Sequence, residues 1–532
     1  MTSRRWLALL VILLLAYVAH STLYHFFTVD DSFISYRYAR NWANGIGPVY
    51  NPGERVDGYT NFLWVVMLAG AAIARFDLPI IAHWLGTWLG AVTVALATWL
   101  ARRHPQGRDG IAAVIVAAGL GFNAIFNRSM VEGLETALFT ALLLGSMARL
   151  WVETNGPPER SGESRLFHRQ APPGIRNAGL RMTSPLKVDW PIGGLLVALL
   201  TLTRPDGAMF IPLLGGWAIW RLWRRGADRA RIMRWAAGFA LTTGLIVGAW
   251  FVWHWLYYGA PLANTFYAKT GGPLDLRWAR GINSLDILWE SSGSVILLAA
   301  ALLGCLFLAP AVEWWALVLL GIGGRIAFHL YSGGSFIGFL RFLIPAAPLL
   351  ALIAAICVAG LWQETRQRRR LAAIPAVAMM LALVVAAMDL PRIARWRANS
   401  ENAMQTLTQG HIALGKHLAE TLPPDAIIAI QDAGAVPYYS GLVTIDIVGL
   451  NDARIAHLEG DLYQKTDVAY VLSRQPAAII LVSTTDPARK FTPAKWVDSA
   501  FYDDPGFQAL YAHTETFMAD EFYYLTVFAR KK

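Results

Sequence analysis

Apolar runs close to 20 residues recur along this chain and are separated by clusters of arginine, and that alternation constrains the fold more than any other feature. A membrane-crossing helix needs about 20 apolar residues, with a range of roughly 17–25. Runs of that kind occupy 6–27, 80–101, 110–126, 134–152, 234–256, 292–309, 312–330, 341–362 and 371–389. Of 532 residues, 55% are hydrophobic and 15% charged, and a soluble domain carries nearer about 25% charge. This excludes a soluble enzyme, a disordered chain and a disulfide scaffold, and Cys305 and Cys357 both lie inside apolar runs. The first run follows Arg4 and Arg5, exceeds the length of a signal-peptide core and has no small-residue cleavage site after it. It reads as a retained first span with its N-terminus in the cytoplasm.

Two stretches complicate the count: 61–76 is short, and 191–223 is too long for one span and broken by Thr203-Arg204-Pro205-Asp206-Gly207. The positive-inside rule places arginine-rich loops in the cytoplasm. The clusters are Arg102/Arg103/Arg108, Arg160 through Lys187, Arg221 through Arg234, and Arg366/Arg368/Arg369/Arg370. An even number of crossings must separate successive clusters. So 61–76 lies against the outer interface without spanning, and 191–223 is two short helices with an outward turn at Arg204–Gly207. The expectation is a mainly α polytopic membrane protein of about 11 transmembrane helices, in a transmembrane domain 1–390, followed by an extracytoplasmic α/β domain 391–532. The net charge of +10 then orients the chain in the membrane and calls for no nucleic acid.

On the outer side lie a large first loop 28–79, turns near 127–133, 204–206 and 331–340, a loop 257–291 and the tail. In the tail, a helical stretch His411–Thr421 precedes apolar runs Ala426–Ile430, Val443–Val448 and Ala478–Val482. A helical Val468–Ser473 lies between the last two, and Phe517–Phe528 reads as one or two strands.

Chemistry concentrates after the first span, where Asp30 and Asp31 are adjacent carboxylates at a membrane edge. Such groups are costly there unless paired or functional. They fit an acidic cap on a helix starting at Ser32, with Arg37 and Arg40 as partners. They equally fit a general base placed where a lipid-borne substrate presents its headgroup. An oxygen-preferring cation such as Mg or Mn suits the pair, but spacing offers no third ligand and no cofactor is required. Glu54, Asp57, Tyr59 and Asn61 offer polar contacts to a sugar or to their own loop. Glu132 and Glu135 share a helical face as sugar ligands or caps. Asp432 either reaches over the membrane side or ends a strand.

The stretch Asp30-Asp31-Ser-Phe-Ile-Ser-Tyr-Arg-Tyr-Ala-Arg, followed by Tyr-Asn-Pro-Gly-Glu-Arg-Val-Asp-Gly-Tyr-Thr-Asn-Phe-Leu-Trp from Tyr50, resembles the first outer loop of the mycobacterial-type terminal arabinofuranosyltransferases, GT-C membrane glycosyltransferases. The likeness continues at Glu132–Phe139, Thr203–Gly207, Asn264–Lys269 with Tyr267 inside it, Arg341–Pro345, Asp432–Gly441 and Val448–Asp452. It implies transfer of a pentofuranose, arabinofuranose, from a polyprenyl-phosphate donor in the membrane lipid to an outer envelope glycan, with Asp30 or Asp31 at the reaction centre. The same donor logic serves a protein or lipid A acceptor, and a lipid-linked sugar flippase is the reading from another class. Departure of a lipid phosphate calls for preorganised cations. The outward candidates are Arg341 and Arg204, whose forks suit phosphate, then Lys269. Asn264 and Tyr267 join the sugar and acceptor set.

Overall fold

The computed structural model describes residues 3–155, 191–270, 273–285, 311–334, 341–367 and 392–531. The expected spans 292–309 and 371–389, and the stretch 156–187 of the expected cytoplasmic loop, lie outside the described residues. The first helices are α1 (Ser3–Thr22), α2 (Asp30–Ala43), α3 (Phe62–Ile73), α4 (Leu78–Ala101), α5 (Ile111–Gly121), α6 (Ala124–Val131) and α7 (Thr136–Glu153). They are followed by α8 (Ile192–Thr203), α9 (Phe210–Arg224), α10 (Arg229–Tyr258), α11 (Asn264–Thr270), α12 (Leu274–Asn283), α13 (Val312–Ser332) and α14 (Ala347–Gln367).

By length and composition, α4, α7, α10 and α13 are each able to cross a membrane, and a fifth crossing arises if the bent pair α5–α6 counts as one. The other apolar helical stretches, Ala8–Thr22, Phe62–Ile73, Ile192–Thr203 and Ile344–Gly360, are shorter, so the described residues do not establish eleven spans. The long helices begin and end on local signals. Asp77 caps α4 by accepting from Ile80 N at 3.0 Å, and Asp228 caps α10 by accepting from Arg231 N at 2.6 Å. Gly259 (φ +76°) closes α10 in the left-handed conformation that glycine tolerates. At 12 residues, α3 extends only about 18 Å, too little to cross. The break after α8 is a 3-10 turn, Pro205–Met209, between two short helices, but α8 also has only 12 residues and the crossing expected of it is not established.

The straight span expected over 110–126 is corrected. The chain bends by 64° between α5 and α6. Asn123 accepts from Phe126 N at 2.8 Å and starts a new helix, while Asn127 Nδ2 donates to the freed carbonyls of Leu120 and Gly121. Residues 127–131 are therefore a buried helix in place of an outer turn. It lies so close to α4 that a Cβ on Gly86 would sit 2.0 Å from the Met130 carbonyl oxygen.

In the tail, a helix from 392 runs through a π-turn, Leu407–Ile412, into α15 (Ala413–Thr421). Strands β1 (Ile427–Ile430), β2 (Val443–Asp446), β3 (Ala478–Ser483), β4 (Tyr511–Asp520) and β5 (Tyr523–Arg530) form one sheet in the order β2-β1-β3-β5-β4. The first three are parallel and buried, and β5 and β4 add an antiparallel hairpin. The aromatic C-terminal end is thus two strands, and β4 starts at Tyr511, ahead of the expected Phe517, in residues that mostly face solvent and carry no apolar pattern to mark them.

The tail docks on the first loop through α16 (Ala435–Ser440), which packs against α2. Phe33, Tyr36, Trp64, Ala433, Ile445 and Val448 share one core. At its centre is Arg37, 2% exposed. It donates to Tyr50 O at 2.8 Å, Asn51 Oδ1 at 3.1 Å and Leu442 O at 2.8 Å, and also to Pro437 O. Arg37→Met removes all four bonds, and Tyr50 O, Pro437 O and Leu442 O keep only their second donors, Asn41, Gly441 and Thr444. At roughly 1.5–3 kcal/mol for each hydrogen bond to a charged group, the full chain in detergent should lose at least about 3 kcal/mol, read as a lowered thermal unfolding midpoint. An unchanged midpoint would show that the tail docks without this residue.

Candidate functional site

Helix α2 begins at Asp30, with Val29 as N-cap and no side-chain cap bond. Neither carboxylate is therefore spent as the cap of a helix starting at Ser32. The start of α2 is held by the α6–α7 corner: Val29 N and Ser32 Oγ donate to Glu132 O at 3.3 and 3.1 Å. Gly133 O accepts from Tyr36 OH at 3.3 Å and from Trp64 Nε1 at 3.2 Å. Gly133 has φ +94°, and a Cβ there would meet the Tyr36 hydroxyl at 2.4 Å.

The two aspartates then diverge. Asp30 Oδ1 accepts from Ala435 N at 2.8 Å, and a Cβ on Gly434 would fall 2.1 Å from the Asp30 carbonyl oxygen, so this contact needs glycine. Beside it, Asp432 Oδ2 pairs with His411 Nε2 at 3.1 Å and accepts from Tyr523 OH at 2.7 Å. Burial raises Asp30 to about 6, His411 opposes that shift, and Asp432 and Asp31 add to it. The His411 imidazole is held above its ordinary range by Asp432 despite burial. Asp31 makes no hydrogen bond or ion pair among the described residues. Its charge instead acts on Lys269 and Arg341.

Lys269, Arg341 and Arg204 converge from α11, the turn before α14 and the turn after α8. Glu135 is their shared anion: Oε1 accepts from Arg204 Nη1 at 3.1 Å and from Arg341 Nη2, and Oε2 accepts from Asn61 Nδ2 at 2.8 Å. Burial alone would raise Glu135, but Arg341 and Arg204 outweigh it and hold the carboxyl down at about 2. Arg204 is further tied to Asp206 Oδ1 at 2.9 Å, and Asp206 is held by Arg325. Arg341 keeps a buried Nε–H without an acceptor among the described residues. The half-buried Lys269 ammonium likewise has no hydrogen bond or ion pair there. Burial lowers its pKa, with Asp31 opposing and the two arginines adding repulsion. Glu132, raised by burial, accepts from Thr136 Oγ1 at 3.1 Å.

The structure thus gathers Asp31, Asn61, Glu135, Arg204, Lys269 and Arg341 into one cluster, with Glu132 at its edge and Asp30 and Asp432 toward the tail. The remaining candidates hold the seam between first loop, α10 and tail. Glu54 pairs with Arg474 at 3.4 Å and accepts from Asn51 at 2.9 Å. Asp57 accepts from His254 Nε2 at 2.7 Å, and Tyr59 OH meets Tyr258 OH at 3.1 Å. Asn264 Nδ2 donates to the carbonyls of Gly449, Leu450 and Asp452, and Tyr267 stacks on His457 at 4.4 Å.

Sequence reasoning missed His411, Tyr523 and Arg325. Each acts through a partner distant in the chain, and His411 stands in an otherwise ordinary amphipathic stretch. Among the described residues no three His, Cys, Asp or Glu side chains converge to hold a metal ion. Asp30 and Asp31 would hold Mg or Mn only with substrate oxygens completing the set.

A family described as a domain of unknown function (DUF8728) matches residues 395–528, the docked tail. No curated protein sequence matches the chain. Among solved structures, ArnT from Cupriavidus metallidurans bound to undecaprenyl phosphate is similar over 99% of this chain and 98% of its own, at a TM-score of 0.53 and 12% identity. Its apo state gives a TM-score of 0.51 over the same shares. The apo Archaeoglobus fulgidus oligosaccharyltransferase is similar over 83% of this chain at a TM-score of 0.51 and 13% identity. This chain spans only 64% of that protein's length. These likenesses do not bear on the arabinofuranosyltransferase resemblance. They establish the architecture: the chain has a fold similar to that of the GT-C membrane proteins.

Proposed function

We propose that this chain is a membrane glycosyltransferase that moves arabinofuranose from a polyprenyl-phosphate donor to an envelope glycan on the outer face of the cytoplasmic membrane. The observation that carries the reading is the unbonded Asp31 carboxylate beside two cations with free donors, Lys269 and Arg341. The first-loop motifs supply the sugar and acceptor, and the undecaprenyl phosphate of the similar ArnT structure supports the donor class.

In the proposed step the anomeric C–O bond to the phosphate breaks and its electron pair stays on the phosphate oxygen. Lys269 and Arg341 stabilise that growing charge in a site where water competes poorly. Arg204, already held by Glu135 and Asp206, keeps Arg341 in place through their common anion. The acceptor hydroxyl forms the new C–O bond to the anomeric carbon, and its proton passes to Asp31. This assignment is written for inversion, and linkage analysis of the product by NMR reads the stereochemistry. Asp30 ties the reaction loop to the tail through Ala435, where the acceptor side is shaped.

Two results follow. With purified full chain, polyprenyl-phosphate pentofuranose and a glycan acceptor, Asp31→Asn should cut transfer by about 10²–10⁴-fold, the range for loss of a general base, with its unfolding midpoint unchanged. Wild-type rates in both Asp31→Asn and Asp30→Asn would refute the reaction centre, and movement of lipid without a new glycosidic bond would make the protein a flippase. The second result concerns pH. The Asp30 carboxyl ionises at about 6 when folded against 3.8 ordinarily, so its ionisation costs stability. That cost grows as pH rises through this window and is complete above it. Asn keeps the acceptor for Ala435 N and cannot ionise. The unfolding midpoint of wild type should therefore fall relative to Asp30→Asn between pH 4 and about 6, the reverse of a salt-bridged carboxylate. Parallel profiles would contradict it.

A further inference from the structure

At the opposite end of the bundle from the Asp31 cluster lies a cavity of about 430 Å³. Four helices fix the two ends. Helices α4, α7 and α9 start near the cluster and end at the cavity, and α13 runs from Val312 at the cavity toward Arg325, which holds Asp206. Its rim carries Arg102, Arg103 and Arg108 from the end of α4 and the turn after it, with Arg224 and Arg225 from the end of α9. Its floor is Trp151 and Trp314, both buried.

Among the described residues only one acidic side chain lines it, Glu313, and that carboxylate is already taken by Arg221 Nε at 2.9 Å and Arg225 Nη2 at 3.0 Å. The adjacent Asp109 is occupied too, accepting from Ile111 N and from Gln363 at 3.1 Å each. Arg102, Arg103, Arg108 and Arg224 make no ion pair among the described residues. Topological arginines need only lie on the correct side of the membrane, so the positive-inside rule does not account for four unpaired guanidinium groups converging on a hollow from two separate elements. Their mutual repulsion is relieved by an anion with several oxygens.

Apolar side chains are exposed at the same level: Trp223 beside Arg224 (68%), Val312 beside Glu313 (41%) and Val152 beside Trp151 (45%). Guanidinium groups around a cavity with an apolar margin suit a headgroup that enters with its acyl chains. We propose that this cavity binds the two-phosphate headgroup of an anionic phospholipid of the cytoplasmic leaflet, anchoring the inner ends of α4, α9 and α13. The proposal is independent of the transfer reaction at the other end.

The test uses the purified full chain and four probes: cardiolipin, phosphatidylglycerol, phosphatidylcholine and inorganic pyrophosphate, with binding read by native mass spectrometry. Cardiolipin should bind most tightly. Arg102→Gln/Arg108→Gln/Arg224→Gln should weaken it at least about tenfold, since each arginine near an anionic lipid contributes on the order of 1 kcal/mol. The matched triple Arg229→Gln/Arg231→Gln/Arg234→Gln, which removes the same charge from the start of α10, should leave it within about twofold. Equal losses in the two triples would overturn the proposal, as would pyrophosphate binding as tightly as cardiolipin, which would mark a soluble-anion site. If the first triple does not fold, Arg224→Gln alone should still weaken cardiolipin severalfold with its unfolding midpoint intact, and an unchanged affinity there would equally overturn it.

Discussion

A single buried carboxylate holds one end of this bundle together. Glu135, at the start of α7, binds Arg341 and Arg204 through one oxygen and Asn61 of the first loop through the other. Cations gathered at a membrane edge repel one another and lose hydration, and removing one partner from a buried pair costs several kcal/mol. Glu135 offsets enough of that to keep the arginines close, and Asp206 holds Arg204 from its other side. The donors left over are those of Lys269 and the free Nε–H of Arg341. Lys269 is thus the cation of the cluster that bonds no carboxylate among the described residues, and with an unbonded aspartate nearby it gives the proposed phosphate site its preorganised charge.

The tail completes this arrangement. Its contact with α2 is made by Arg37 and by the Asp30–Ala435 bond, and Gly434 lets the two backbones meet. His411, Asp432 and Tyr523 then stand next to Asp30. First loop and tail therefore share one core, and the first loop has little conformational freedom of its own. Rigid support of this kind is what positions catalytic groups to within fractions of an ångström.

Much of this was legible in the sequence because it rests on local chemistry. Arginine-bounded apolar runs marked the helices, Pro205 and Gly207 marked the break before α9, and the apolar runs of the tail gave β1, β2 and β3 almost residue for residue. The aspartate pair and the three cations stood out because charge at a membrane edge is rare. What stayed hidden depends on distant partners. Nothing near Arg37 signals that it binds carbonyls some 400 residues away. Asn123 looks like any polar residue at a helix end until its cap turns the chain through 64°. Glu54, Asp57 and Tyr59 have the chemistry of sugar ligands, and only their pairing with Arg474, His254 and Tyr258 reveals how they are spent.

The central claim is that the free donors of Lys269 and Arg341 receive a lipid phosphate, and binding of undecaprenyl monophosphate to the full chain in detergent tests it without requiring turnover. Lys269→Gln and Arg341→Gln should each weaken that binding by at least about tenfold, the loss expected for a charge-assisted hydrogen bond to phosphate. Affinity unchanged in both variants would contradict the account, because the cluster would then be structural and the donor would bind elsewhere.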